Sequence, residues 1–140
     1  MPVASTYNLV NCTPHEITII TKAGEQISIP PSGYQIRAAT ITEEVGELET
    51  EYGFIPVSVS SLGGITILKD GKEVGIEEAS EFFREVDGVI VPLVLKDYID
   101  DIRILLQKPY LDVFAPNTAQ AIRDEAGRIK GVPNLIRLSP

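Results

Sequence analysis

The chain has one cysteine, one histidine, one methionine and no tryptophan among its 140 residues. A single cysteine rules out an internal disulfide and any zinc site built on several thiolates. A single histidine removes the two-histidine helix of a metalloprotease, so His15-Glu16 is not that motif. Neither common phosphate loop, G-x-x-x-x-G-K-[ST] or G-x-G-x-x-G, is present, and no G-x-S-x-G nucleophile elbow occurs. Long apolar runs are also missing. The longest, Val89 to Leu95, is broken by Pro92 and is too short to cross a bilayer. The opening MPVASTYNLV lacks a basic segment followed by an apolar one, so no secretory leader is expected. Without a leader, a spanning segment or disulfides, the expected compartment is the cytoplasm, or the cytoplasm of a host cell if the chain is viral.

Positive charge is scarce. Twelve bases against twenty acids leave a net −8, which argues against a binder of long nucleic acid, because phosphate neutralisation needs clustered Lys and Arg. The imbalance is uneven. Arg103 to Pro140 holds six bases and three acids, so the first 102 residues carry the whole deficit. A locally basic surface on an acidic body suits a small anionic ligand. Its alternative is a solvated face of scattered bases.

What is present is β-branched alternation punctuated by turn residues. EITIIT (16–21) and QISIP (26–30) read as a hairpin around Gly24, and PPSG (30–33) breaks the pattern. QIRAATIT (35–42), FIPVSVSS (54–61) and ITILKD (65–70) read as three strands. The acidic segment 43–53 reads as a loop or hairpin tip, and Gly63-Gly64 as a turn. Helical spacing predicts a helix over 75–86, with Ile76, Ala79, Phe82, Phe83 and Val86 on one side. A second is predicted over 93–106, ended by Pro109. Strands follow at 86–92 and 111–116, then a hairpin over 121–132 with DEAG at its tip, and a last strand over 135–139. The expectation is one α+β domain over 1–140, a largely antiparallel sheet with one or two helices packed on it.

Two polar groups stand out. The first is Asn11, Thr13 and His15; in extended chain these three point the same way. The second is Asn117, Thr118, Arg123 and Asp124. Hydroxyl, amide, imidazole and guanidinium together suit holding a phosphate and moving a proton beside it. The competing reading is local turn chemistry, with Asn117-Thr118 satisfying backbone and Arg123 pairing with Asp124 or Glu125. Cys12 and His15, at i and i+3 in extended chain, do not share a face. Asp97, Asp100 and Asp101 are a conceivable Mg²⁺ set, but they fall on the outer face of the second predicted helix, where solvation explains them. No metal and no cofactor is expected.

NCTPHEITI (11–19) and DVFAPNTAQAIRDEAGRIKGV (112–132) together resemble a broad group of small proteins of bacteria, archaea and their viruses. That group opens on N-L-T-P-H-x-[IV]-x-[IV] and closes on a P-[DGN]-T…R-D-E-x-G-R-I-x-G-V segment. Cys12 stands where leucine is usual, and Asn117 where aspartate is common. The resemblance implies a link to ring nucleases, which degrade the cyclic oligoadenylate messengers of type III CRISPR defence for cells or for viruses. It carries Thr13, His15, Thr118 and Arg123 into a site, with His15, Arg123 and Thr13 catalytic. Asn11, Asn117, Thr118 and Lys130 would bind ligand, with Lys108 as further support. The implied partner is a cyclic oligoadenylate or a related small anionic nucleotide, cut by its own 2′-hydroxyl. A symmetric ring suits a homodimer, and Tyr7, Tyr34, Tyr52, Tyr98 and Tyr110 are the candidates to stack adenine. Two alternatives remain open: a binder that sequesters the nucleotide uncut, and a virus-associated structural protein with no small-molecule site.

Overall fold

In the computed structural model, residues 6–139 are described. The leader reading of MPVASTYNLV falls partly on residues outside that range. The order is β1 (Leu9–Asn11), β2 (Ile17–Ile20), β3 (Gln26–Ile29), β4 (Tyr34–Thr50), β5 (Gly53–Lys69), β6 (Lys72–Glu73), α1 (Ile76–Phe83) and β7 (Gly88–Ile90). Then come α2 (Ile99–Leu105), β8 (Asp112–Pro116), β9 (Ile122–Arg123), β10 (Ile129–Gly131) and β11 (Leu135–Arg137). This is an α+β fold in which most strand pairs are antiparallel.

The central sheet, in the order β1-β7-β8-β11, is mixed. β1 and β8 both run parallel to β7, and only β11 is antiparallel to its neighbour. The short run around β7 shows why. Val89 and Val91 face one core, with Phe83, Ile102 and Val113, while Ile90 faces a second, with Ile17 and Val132. A strand buried on both faces reads as continuous apolar sequence, which is the parallel-sheet pattern. On the first face sit α1, α2 and the root of the β4–β5 pair, through Tyr34, Ile36 and Ile67. On the second lies the β2–β3 hairpin, joined to the chain's closing segment where Val132 N–H donates to Thr18 O and Ile20 N–H to Val132 O.

Four local expectations are corrected. The acidic segment 43–53 is mostly strand: β4 runs to Thr50, and only Glu51 and Tyr52 turn. The two strands expected at 54–61 and 65–70 are one, β5, and Gly63-Gly64 sits in a bulge between the pairs Ala38–Ile65 and Thr40–Leu62 instead of in a turn. The helix expected over 93–106 is split. Leu93–Leu95 is a single 3₁₀ turn, and α2 begins only after Tyr98. The segment 13–15 is bent, so Asn11, Thr13 and His15 do not share a strand face.

Gly131 marks the tightest contact with the β2–β3 hairpin. A Cβ there would meet Thr18 O at 2.7 Å and two Ile20 carbons at 3.2 Å. Gly131→Ala should therefore cost about 1–3 kcal/mol in urea unfolding, since backbone must move. Gly64→Ala, with nothing within 4 Å, should stay within about 0.5 kcal/mol. Equal effects from the two would count against this packing.

Candidate functional site

A cleft of about 720 Å³ opens where three parallel strands end. After β1 come Thr13, Pro14, His15 and Glu16. After β7 come Pro92 and Leu93. At the end of β8 lie Pro116 and Thr118. The β9–β10 hairpin closes the far wall with Ile129, Lys130 and Gly131, and Ile17, Thr18 and Val132 complete the lining. Pockets outside the carboxyl ends of strands are the usual ligand sites of parallel sheets. Mostly apolar walls with a few convergent polar groups are the usual lining of a small-molecule site.

Asn11 builds the wall that carries His15. It is only 1% exposed. Its Nδ2 donates to His15 O at 2.8 Å and to Ile29 O at 3.1 Å. Its Oδ1 accepts from Thr13 N–H at 2.9 Å and from the Thr13 hydroxyl at 2.7 Å. The Thr13 Oγ1 also lies 3.0 Å from His15 O. Every polar atom of the carboxamide is used within the protein. Asn11 therefore shapes the loop and does not line the cleft. Next to it, burial pushes the Cys12 thiol up to about 12, from an ordinary 9.0.

The closing motif divides in two. Thr118 and Lys130 line the cleft. Asn117 instead braces the loop, its Nδ2 donating to Gln120 Oε1 at 3.1 Å and to Asn134 Oδ1 at 2.9 Å. Asp124 Oδ1 accepts from Ala126 and Arg128 N–H at 2.9 Å each, which forms the hairpin tip. Gly127, at φ +82°, supplies the left-handed residue that this turn requires. Arg123 Nη1 donates to Gly127 O at 2.8 Å, so its guanidinium caps the tip and is not among the cleft-lining groups. Local turn chemistry thus takes up Asn117, Arg123 and Asp124, but with other partners than expected: the Asn117 side chain bonds two side-chain amides, Arg123 bonds Gly127 O and neither neighbouring acid, and the base beside Asp124 is Arg128. Lys108 lies elsewhere, donating from Nζ to Arg84 O.

Of the expected site residues, Thr13, His15, Thr118 and Lys130 are brought together, and Asn11, Asn117 and Arg123 hold the loops that present them. None of the five tyrosines lines the cleft. Asp97, Asp100 and Asp101 are exposed beside and in the first turn of α2. No group of three His, Cys, Asp or Glu suited to a metal ion occurs among the described residues. The walls Pro14, Glu16, Pro92, Leu93 and Ile129 were not singled out from the sequence. The available sign was proline directly after two short apolar runs, at Pro92 and Pro116.

The arrangement can enclose a small molecule with an apolar body and an anionic group. Apolar contact comes from the walls. The polar part of the lining is Lys130, His15, Thr118 and a single carboxylate at Glu16; the Thr13 hydroxyl is taken up by Asn11 Oδ1 and His15 O. No protein-family model matches the chain, and no curated protein or solved structure matches it either. The fold and site define a small α+β protein with a cleft at its parallel strand ends. No helix among the described residues is long and apolar enough to cross a membrane.

Asn11→Ala should cost about 1–3 kcal/mol, because it strands buried partners. It should also loosen the loop carrying His15, read as faster amide exchange over 13–16. The Cys12 thiol should resist a thiol reagent at pH 8 until urea unfolds the chain. Since its folded pKa is raised, its contribution to stability is full below pH 9 and is lost as pH rises toward 12. Immediate labelling of native protein would contradict that burial.

Proposed function

We propose that the cleft binds a cyclic oligoadenylate and cuts it through the ring's own 2′-hydroxyl. The observation that carries the reading is the convergence of His15, Lys130, Thr13 and Thr118 on one apolar-walled cleft. The resemblance of its two segments to ring-nuclease-linked proteins supplies the ligand class.

In this reaction the 2′-oxygen attacks the adjacent phosphorus and the bond to the 5′-oxygen breaks. The products are a 2′,3′-cyclic phosphate end and a 5′-hydroxyl. His15 gives a proton to the leaving 5′-oxygen, general-acid help worth roughly 10²–10⁴ in rate, while the proton of the attacking 2′-hydroxyl passes to solvent water. Lys130 opposes the charge that builds on the phosphate. Thr118 holds a phosphate oxygen, while Thr13, its hydroxyl engaged by Asn11 Oδ1, fixes the loop that presents His15. Arg123 acts through the hairpin that presents Lys130 and is a positioning residue. Such rings are made in the cytoplasm, which is where we place the chain, in a cell or in a virus-infected host.

A second reading, binding without cutting, draws on one observation: the Arg123 guanidinium is spent on Gly127 O. That leaves Lys130 as the one lysine or arginine on the cleft lining. Incubation with excess cyclic tetra- and hexa-adenylate in EDTA, followed by chromatography, separates the two. The enzyme reading expects linear products from wild type, a loss of at least roughly 10²-fold in His15→Ala, and weaker binding in Lys130→Ala. Arg123→Ala should retain turnover but lose stability. Intact ring held at one equivalent per chain supports the second reading. Intact ring left unbound refutes both.

A further inference from the structure

Beyond Ala38 the β4–β5 pair leaves the core as a two-stranded ribbon. Residues 39–50 of β4 extend it by roughly 40 Å at about 3.4 Å per residue. Its two faces differ. Ile41 opposite Ser61, Glu43 opposite Val59, Gly46 opposite Val57 and Leu48 opposite Ile55 share one face. Thr42 opposite Ser60, Glu44 opposite Ser58, Glu47 opposite Pro56 and Glu49 opposite Phe54 share the other. The bulge between Glu44 and Gly46 is what puts Ile41 and Leu48 on the same side, because without it their odd and even numbers would separate them. The first face is apolar and uncovered, with Ile41 55% and Leu48 57% exposed. At the tip, Tyr52 is 86% exposed. A two-stranded ribbon by itself is marginal in water, so an uncovered apolar face calls for a partner.

We propose that the partner is a second copy, and that each ribbon reaches the other's cleft, with Tyr52 and the apolar end of the ribbon seated on the rim formed by β9–β10. Charge favours this pairing. Between Ala38 and Leu68 there are five glutamates and no base. The rim offers exposed Ile129 flanked by exposed Arg128 and Lys130. Apolar content matches too: the cleft walls are largely aliphatic and proline-rich and hold no Phe or Tyr, and the tip brings Tyr52. The ribbon cannot serve its own cleft in this way. Its root packs with Tyr34, Ile36 and Ile67 on one face of the central sheet, whereas the cleft residues Ile17 and Val132 pack on the other. Face-to-face pairing of two ribbons is disfavoured because it would bury Glu43, which lies within the apolar face, against a ribbon that offers no base. Each copy carries both ribbon and rim, so a two-fold exchange satisfies both surfaces of both copies, and the proposed assembly is that closed dimer. It deepens the nucleotide reading, and on that reading Tyr52 is the ring placed to stack on a bound adenine.

The oligomeric state is measured without nucleotide, so a failure here is distinct from a failure of the ligand assignment. By sedimentation at micromolar concentration, wild type should be a dimer. Glu49→Lys with Glu51→Lys should weaken association ~10-fold or more. Adding Arg128→Glu and Lys130→Glu in the same chain should restore it. In a mixture of Tyr52→Cys and Arg128→Cys chains, mild oxidation should link the two types to each other. A monomeric wild type, a dimer indifferent to both charge reversals, or cross-links formed only between Leu48→Cys ribbons would overturn the proposal.

Discussion

The carboxamide of Asn11 is the point on which the cleft depends. It sits at the end of β1 and makes four short contacts, joining the β1 end to the bend at 13–15 and to the end of β3. The backbone continues the attachment. Asn11 O accepts from Ser32, Cys12 N–H donates to Ile90 O in β7, and Cys12 O accepts from Ile36 N–H in β4. Three parts of the fold thus meet within two residues. A buried amide with all its atoms satisfied stabilises one arrangement and penalises any other, because each alternative strands a polar group away from water. This is why a loop of exposed residues, Pro14 to Glu16, has a defined course over the cleft.

The cleft itself follows from strand direction. β1, β7 and β8 are parallel, so their carboxyl ends lie at one edge, and whatever follows each strand gathers there. The β9–β10 hairpin adds the fourth side through its contact with β2. Gly131 permits that contact, since its missing side chain lets Thr18 O come close. Turn-building residues and ligand-facing residues are interleaved in the closing segment. Asn117, Arg123 and Asp124 are engaged by backbone and neighbouring amides, which leaves Thr118 and Lys130 to face the cleft.

The ribbon is held by different means. Its root is core, with Ile36 and Ile67 buried and Tyr34 stacked on Phe82 at 3.9 Å. Its outer length relies on strand pairing and on the partner surface inferred for it. Pro56, the glutamates and two bulges interrupt its free edges, which discourages indiscriminate strand addition. Those devices leave the apolar face, rather than the edge, as the surface for a specific contact.

Local chemistry was legible in the sequence. The hairpin at 17–29, α1, the tip of β9–β10 with its Asp124 turn, and the α+β class all followed from alternation, helical spacing and turn residues, which act over a few neighbours. The cleft-lining members Thr13, His15, Thr118 and Lys130 were visible as chemically able residues. What tertiary structure alone decided was which of them meet. Parallel pairing of β1 with β7 joins Leu9 to Gly88, far apart in the chain, and no local pattern encodes that order. The merging of 43–61 into one ribbon turns on a bulge that shifts the register by one residue, an effect of pairing and not of composition. The same holds for Asn11 and Arg123. As residue types they suit a ligand, but the buried position of one and the turn geometry of the other direct their hydrogen bonds to the protein's own backbone.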